Sequence, residues 1–310
     1  MRTILVLTAF VAPLCFAQTP SELLGVWKAD LQKSKFAGPA PTQFLEIFEE
    51  KTVVVDRRTQ EKAQQVQELS GVWGEHGEER ALLEFVPNGK PYLRAYEGVP
   101  ARITASTLPN GITLAAEVAG RPMTMRRVYE ISPNGQSLLI DSITNGGPRP
   151  QHSTIYLLKQ PDSAAEPLRK PEETAGAHFK NVKTETLKQL PVSEFIDNMR
   201  YFAWALDTNC EFCHVHGHFD SDDKREKKTA RQMIDMTASI DQDNFKSRPE
   251  VRCFTCHEFH QHPISHPLFA DEAERLEAAK HQGQNGPMQG AGSGPQGAKP
   301  GAMPPGKPQQ

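Results

Sequence analysis

Cys210-Glu211-Phe212-Cys213-His214 and Cys253-Phe254-Thr255-Cys256-His257 are two copies of one pattern, Cys-x-x-Cys-His. This pattern is the attachment signature of c-type haem. The two thiols can form thioethers with the two vinyl groups of one porphyrin, and the following histidine can bind the iron. The repeat therefore predicts two covalently attached haems, held by Cys210, Cys213 and His214 and by Cys253, Cys256 and His257.

Three other uses of paired cysteines compete with haem attachment. A four-cysteine zinc site usually separates its pairs by roughly 15–20 residues, whereas 39 residues lie between Cys213 and Cys253. Zinc also gives no reason for a histidine after each pair. A thioredoxin-like dithiol needs a βαβ context, and a secreted protein can form disulfides. Haem attachment accounts for both cysteines and the histidine at each motif.

The N-terminus predicts export from the cytoplasm. Arg2 precedes the apolar run Ile4–Phe16, and Ala17 is a small residue at a cleavage point. This is the pattern of a secretory signal peptide at residues 1–17, too short for a membrane span. The peptide contains Cys15, so the mature chain has cysteines only in the two motifs. We expect a periplasmic protein, soluble or peripherally associated with a membrane.

The region from 18 to 160 predicts an antiparallel β barrel or sandwich. Apolar residues alternate along Ile112–Val118, and Pro-Asn-Gly triplets at 87–89, 109–111 and 133–135 favour hairpin turns. The predicted strands are Gln43–Glu50, Thr52–Asp56, Ala81–Val86, Ile112–Val118, Thr124–Ile131 and Ser137–Thr144. The formal net charge of −3 gives no indication of a nucleic-acid partner.

Residues after 160 divide into three parts. Residues 161–178 read as a linker, residues 179–270 as a mainly helical haem domain, and residues 271–310 as a short helix followed by a disordered tail rich in Gly, Pro and Gln. In the haem domain, Pro191 and Ser193 open a helix with apolar residues at Phe195, Met199, Phe202 and Leu206. A second helix is expected over Lys227–Ile240. The charged run Asp220–Lys228 is expected to be an exposed loop, and Asp241–Glu250 a polar loop.

Each motif thus follows a helix that carries methionine, and a thioether is a sixth ligand of haem iron in cytochromes c. Met199 is the candidate near the first motif, while Met233 and Met236 compete near the second. Histidines near the motifs are alternative sixth ligands of the haem iron, ligands of a separate metal site or residues of a solvated loop: His216, His218, His260, His262 and His266.

Two resemblances add to this interpretation. Leu24–Lys28 and Lys33–Phe36 resemble the start of lipocalin-like barrels, which implies a barrel able to hold a small apolar ligand or to serve as a docking or spacer domain. The stretch from Asn181-Val182-Lys183 through Met199 to the first motif, and from Ala230-Arg231-Gln232-Met233 to the second, resembles one haem-pair unit of the photosynthetic reaction-centre cytochrome c subunit. That resemblance implies Met199 and Met233 as the axial methionines.

The departures from that family concern haem number and additional regions. The chain has one pair of motifs where the reaction-centre subunit binds four haems, and its β region and tail have no counterpart there. The resemblance therefore implies haem binding and electron transfer rather than service to a photosynthetic reaction centre.

The expected function is single-electron relay by a dihaem cytochrome c that is not an enzyme. Its partners would be one redox protein that donates electrons and one that accepts them. A membrane electron-transfer complex is a candidate for such a partner. The alternatives are a dihaem peroxidase-like oxidoreductase, which needs an open iron site, and a haem-based sensor whose barrel captures a ligand.

Overall fold

Ten antiparallel strands are formed by the sequence between Gly25 and Gln160. The computed structural model describes residues 19–75 and 77–264. The expected signal peptide, with Cys15, and the expected tail at 271–310, as well as His266, lie outside the described residues. The strands are β1 Gly25–Ala29, β2 Gln43–Asp56, β3 Glu61–Gly74, β4 Gly77–Phe85, β5 Asn88–Tyr96, β6 Val99–Leu108, β7 Gly111–Val118, β8 Thr124–Ile131, β9 Ser137–Asn145 and β10 Gln151–Gln160.

The strand order shows that the sheet curls into a barrel. Neighbours run in the order β4-β3-β2-β1-β10-β9-β8-β7-β6-β5, so the first and last strands pair in the middle of the order. The edge strands β4 and β5 are joined by Val86 and Pro87 alone. Because two residues span only a short distance, the end of β4 lies close to the start of β5, at the two edges of the sheet. The predicted antiparallel, lipocalin-like barrel is confirmed.

The predicted strands agree with the structure where the local pattern is strong. The alternating residues form β7, and the Pro-Asn-Gly triplet at 109–111 makes the hairpin turn between β6 and β7. Strand β8 has the predicted bounds. The predicted break between Glu50 and Thr52 is wrong. Lys51 pairs with Gln65, and β2 continues to Asp56 because its charged side chains project into solvent without interrupting the ladder.

The barrel encloses an apolar core that contains one charged cluster. Trp27, Phe48, Phe85 and several aliphatic side chains fill the core. The buried Glu68 accepts a hydrogen bond from Arg127 at 2.6 Å. It also accepts one from the hydroxyl of the buried Tyr129. Burial, together with the neighbouring Glu68, raises the pKa of the enclosed Glu46 well above its usual range. Burial therefore favours the neutral form of Glu46.

The segment expected to be a linker packs on the outside of the barrel. A 3-10 helix, Asp162–Ala165, leads into a helix that contains Leu168. Ala165 and Leu168 are buried against an outer apolar patch of β1 and β2, formed by Val26, Leu45 and Ile47. Arg80 donates hydrogen bonds to the carbonyl oxygens of Pro167, Leu168 and Lys170 at 2.8–2.9 Å. The segment therefore lies against the barrel over residues 161–170.

Helices joined by loops follow the barrel, as expected. They are α1 Glu166–Arg169, α2 Ala175–His178, α3 Glu185–Lys188, α4 Val192–Ala205, α5 Cys210–Cys213, α6 Arg225–Phe245 and α7 Cys253–His257. Among the described residues, no helix combines the length and the apolar character needed to cross a bilayer.

The second predicted helix is longer at both ends than expected. It continues through Asp241–Phe245, so the prediction of a polar loop over these residues is wrong. The carboxylate of the buried Asp241 accepts hydrogen bonds from the backbone N–H groups of Glu250 and Val251 at 3.1 and 2.9 Å. Asp241 thus holds the returning chain from within α6, and Lys246, which has a left-handed conformation, caps the helix.

Candidate haem-binding site

The first motif, Cys210–His214, begins with one helical turn. The side chain of Asn209 accepts a hydrogen bond from the N–H of Phe212 at 3.2 Å and so caps α5. Residues three apart in a helix lie on one face. The two cysteines are therefore presented on the same side, with His214 directly after them.

The imidazole of His214 is oriented by a backbone carbonyl. Its Nδ1 atom lies 2.9 Å from the carbonyl oxygen of Phe219. A carbonyl can only accept a hydrogen bond, so Nδ1 carries the proton and Nε2 keeps the lone pair of the neutral ring. Burial lowers the pKa of His214, which favours that neutral form.

The second motif, Cys253–His257, repeats this arrangement. It forms α7, and the N–H of Arg252 donates to the hydroxyl of Thr255 at 3.1 Å at the start of the helix. Nδ1 of His257 lies 2.8 Å from the carbonyl oxygen of His260. Both motif histidines therefore donate Nδ1–H to a carbonyl located a few residues downstream. Each has Nε2 free of that bond, as a metal-ligating histidine requires.

The cysteines of both motifs are free thiols in the described chain. Cys210 and Cys256 are exposed, and Cys213 and Cys253 are half-buried. Burial raises the pKa of the Cys213 and Cys253 thiols. Redox dithiols require a lowered pKa, so the environment does not favour a thioredoxin-like reaction. Within residues 19–75 and 77–264, no three His, Cys, Asp or Glu side chains converge as ligands for a bare metal ion.

A charged network that the sequence pattern does not reveal holds the loop after the first motif. The ammonium group of Lys227 donates to the carbonyl oxygens of Phe219 and Ser221 at 2.7 and 2.8 Å. Lys227 is only 9% exposed. The run Asp220–Lys228, expected to be an exposed loop, therefore includes a buried lysine that bonds to the same carbonyl as His214.

Asp222 connects this loop to the two segments that carry the family resemblance. Its carboxylate accepts hydrogen bonds from Lys183 and Asn181 and forms an ion pair with Arg231 at 2.8 Å. The hydrogen bond from Lys183 makes the largest contribution to the lowered pKa of Asp222. Arg231 also donates to the carbonyl oxygen of Asn181 at 3.1 Å. Asn181, Lys183 and Arg231, which belong to the two stretches that carry the resemblance, thus meet at one carboxylate.

The candidate axial methionines occupy different environments. Met199 is half-buried in α4, on the helix face that also carries Phe195 and Phe202. At 3.6 residues per turn, this face is rotated roughly 140–180° from Trp204, which faces the barrel. Met233 and Met236 in α6 are 36% and 44% exposed. Met233 shares its side of α6 with the half-buried Thr237 and Ile240.

The remaining histidines near the motifs lie mostly at the surface. His216 and His218 are exposed, and Nδ1 of His216 lies 2.9 Å from a carboxylate oxygen of Glu211. His262 is exposed as well. His260 is half-buried, and its carbonyl oxygen orients His257 while its own Nδ1 lies 3.2 Å from the carbonyl oxygen of His257.

Solved structures similar to this chain align with its barrel and are distant. Fatty-acid-binding protein 1 from Echinococcus granulosus is 8% identical, covers 45% of this chain and 98% of its own, and has a TM-score of 0.30. The fluorescent protein UnaG is 11% identical over 45% of this chain and 98% of its own, with a TM-score of 0.31. Secretory abundant heat soluble protein 4 from Ramazzottius varieornatus is 11% identical, covers 46% of this chain and 99% of its own, and has a TM-score of 0.31.

The match to a sequence family begins within β9 and covers the chain that follows the barrel. Curated protein sequences give no significant match. The family described as "Photosynthetic reaction centre cytochrome C subunit" matches residues 140–295, about half of the chain, including both motifs and the two methionine-bearing helices. This match indicates a cytochrome-like electron-transfer role. The chain belongs to the family of photosynthetic reaction-centre cytochrome c subunits.

Proposed function

We propose that this protein is a periplasmic dihaem cytochrome c that relays single electrons. The observation that carries the proposal is the shared geometry of His214 and His257. Each donates Nδ1–H to a backbone carbonyl, at 2.9 and 2.8 Å, and directs its other nitrogen away from that bond. Such an outer-shell hydrogen bond fixes the ring and raises its basicity as a ligand.

The donor set fits c-type haem better than it fits a zinc ion or a redox dithiol. Cys210 and Cys213 would attach one haem, with His214 as its proximal ligand; Cys253 and Cys256 would attach the other, with His257. All four thiols are free within the described residues, as attachment requires. When bound, the haem iron would supply one-electron chemistry by alternating between its ferrous and ferric states.

The protein would set the reduction potential through its sixth ligands and through apolar contacts. We propose Met199 and Met233 as those ligands. The half-buried aromatic side chains on the Met199 face of α4 offer an apolar surface to a porphyrin, while the opposite face of the helix is already packed against the barrel. Apolar surroundings and a thioether ligand both favour the ferrous state.

The cellular site and the partners follow from the chemistry of attachment and from the N-terminal sequence. The pattern of Arg2, Ile4–Phe16 and Ala17 supports export to the periplasm. There the protein would accept electrons from one redox protein and pass them to another. A membrane electron-transfer complex could serve as either partner. Because His214, His257 and the two methionines would all serve as iron ligands, the proposed relay would require no residue as an acid, base or nucleophile.

A redox titration followed by visible spectroscopy tests this function. We expect two one-electron components, low-spin spectra in both states, and the charge-transfer band of methionine bound to ferric iron. A high-spin component in the resting protein would contradict the relay and favour a peroxidase-like oxidoreductase. A spectrum that responds to an added apolar ligand would favour the haem-based sensor.

A further inference from the structure

Two turns at one end of the barrel contact α4 and the second motif closely. Gly98, between β5 and β6, has φ +79°, and a Cβ there would lie 2.4 Å from the backbone oxygen of Asp197 in α4. Gly120, between β7 and β8, has φ +68°, and a Cβ there would lie 2.1 Å from the ring of Phe259. Only glycine combines this conformation with so close an approach.

The turn between β7 and β8 also bonds to the end of α4. The carbonyl oxygen of Ala119 accepts a hydrogen bond from the indole N–H of Trp204 at 2.7 Å. Arg121 donates to the carbonyl oxygen of Ala203 at 3.1 Å and forms an ion pair with Asp207 at 3.4 Å. A cation bonded to the last carbonyls of a helix stabilises its C-terminus. The turn thus fixes the position of the last turn of α4.

Trp204 carries this contact to the second motif. Its ring stacks on Phe254 of the motif at 5.0 Å between centroids and meets Phe259 edge-to-face at 5.0 Å. The N–H of Phe259 donates to the carbonyl oxygen of Ala205 at 3.0 Å. Trp204 and Ala205 belong to the apolar core of the barrel, and Cys253, Phe254 and Phe259 pack against it.

The two motifs differ in their contact with the barrel. Among the described residues, Cys210, Phe212 and Cys213 do not belong to the barrel core or to the apolar side chains packed on it. The orientation of His214 depends instead on Phe219 and Lys227. Phe259 lies between His257 and His260, whose carbonyl oxygen orients the His257 ring. A displacement of Phe259 would therefore disturb the hydrogen bond of His257 and leave that of His214 unchanged.

We propose that the β7–β8 turn of the barrel, through Gly120, Arg121 and their contacts with Trp204 and Phe259, positions the second haem motif and selectively sets the potential of its haem. This inference rests on the proposed dihaem function. It gives the barrel a role in the redox chemistry that does not depend on a barrel ligand. The residues named are positioning residues, since they would act on the iron through His257.

The test compares Gly120→Ala with Gly135→Ala in the full-length holoprotein. Gly135 has nearly the same φ, +65°, but a Cβ there would meet nothing closer than 3.6 Å, so the control has similar backbone strain without the contact. In redox titrations we expect Gly120→Ala to shift one of the two midpoint potentials and Gly135→Ala to shift neither. In a Cys210→Ala/Cys213→Ala background, which keeps only the second haem, the shift should persist.

Trp204→Phe provides a second variant in case Gly120→Ala fails to fold. It keeps an aromatic ring but loses the hydrogen bond to Ala119, and it should shift the same potential in the same direction. The inference is overturned if two haems are present and both potentials stay unchanged, or if both shift together. A wild-type protein without haem would overturn the proposed function, and this inference with it; haem content measured before the titration separates the two failures.

Discussion

The Nδ1 atom of His214 and the ammonium group of Lys227 share one acceptor, the carbonyl oxygen of Phe219. Phe219 is 55% exposed, and its ring lies 5.2 Å from the His214 imidazole between centroids, so both its backbone and its side chain contact the histidine. Lys227 reaches the oxygen from α6 and thereby connects the histidine of the first motif to the helix that precedes the second motif. Loss of either hydrogen bond should loosen the loop that orients His214.

Lys227→Met should destabilise the fold and disturb the first haem site. The substitution keeps most of the aliphatic stem but leaves the carbonyl oxygens of Phe219 and Ser221 without their charged donor. A hydrogen bond to a charged group contributes about 1.5–3 kcal/mol to stability. We therefore expect the free energy of unfolding to decrease by an amount of that order. Denaturant unfolding followed by circular dichroism measures it.

The matched control for this prediction is Lys228→Met. Lys228 is the next residue of α6 and is exposed. Its replacement should change the free energy of unfolding by less than about 0.5 kcal/mol, as for most surface substitutions. Equal effects of the two variants would show that the bonds of Lys227 do not hold the loop.

Met199→Leu and Met233→Leu should each affect one haem. Leucine nearly conserves the volume of methionine, so the cost in packing should stay below about 1.5 kcal/mol. The loss of the thioether should lower one midpoint potential and remove part of the methionine–iron absorption. Visible spectra and redox titration of the two variants measure both effects.

Met236→Leu is the control for the second site. Met236 lies three residues from Met233 and is 44% exposed. We expect a nearly unchanged spectrum. If Met236→Leu perturbs the iron and Met233→Leu does not, Met236 is the ligand. If all three variants keep the wild-type spectrum, a histidine such as His216, His218, His260 or His262 is the better candidate.

Glu46→Gln should remove a pH dependence of stability that originates in the barrel core. Burial raises the pKa of folded Glu46 above its ordinary value of 4.5, and the groups that act on it are Glu68 and Arg127. The folded chain then keeps a proton that the unfolded chain loses. The stability associated with Glu46 is therefore complete below pH 4.5 and declines as the pH rises toward the raised pKa.

The decline should reach at most about 1.4 kcal/mol per pH unit. Glutamine stays neutral, so the stability of the variant relative to wild type should increase as the pH rises from 4.5 toward the raised pKa of Glu46. Unfolding curves at several pH values measure the difference. Glu50→Gln, at an exposed position of the same strand, is the control. A constant difference between Glu46→Gln and wild type would show that Glu46 ionises normally.

The sequence predicted those features that depend on neighbouring residues. Alternation along Ile112–Val118 gave β7, and the turns at 109–111 and 133–135 gave two hairpins. The cysteines and histidine of each motif are adjacent in the chain, so their joint role was visible without a structure. The apolar steps from Phe195 to Phe202 similarly gave α4.

The features that the sequence did not reveal depend on distant contacts or on backbone atoms. The carbonyl oxygens of Phe219 and His260 orient the two histidines, and a carbonyl is present in every residue. Lys227 lies in a run of charges that looks solvated, and only the fold shows that two carbonyls hold its ammonium group. Trp204 breaks the apolar pattern of α4 because its partners are a barrel turn and the second motif.

The mass of the intact, denatured protein tests the central claim most directly. The protein should be produced with its own N-terminal sequence in a host that assembles c-type cytochromes. We expect the mass of the mature polypeptide plus two haems, and plus one haem in Cys210→Ala/Cys213→Ala and in Cys253→Ala/Cys256→Ala. A wild-type mass equal to that of the bare polypeptide would contradict the assignment of this chain as a dihaem cytochrome.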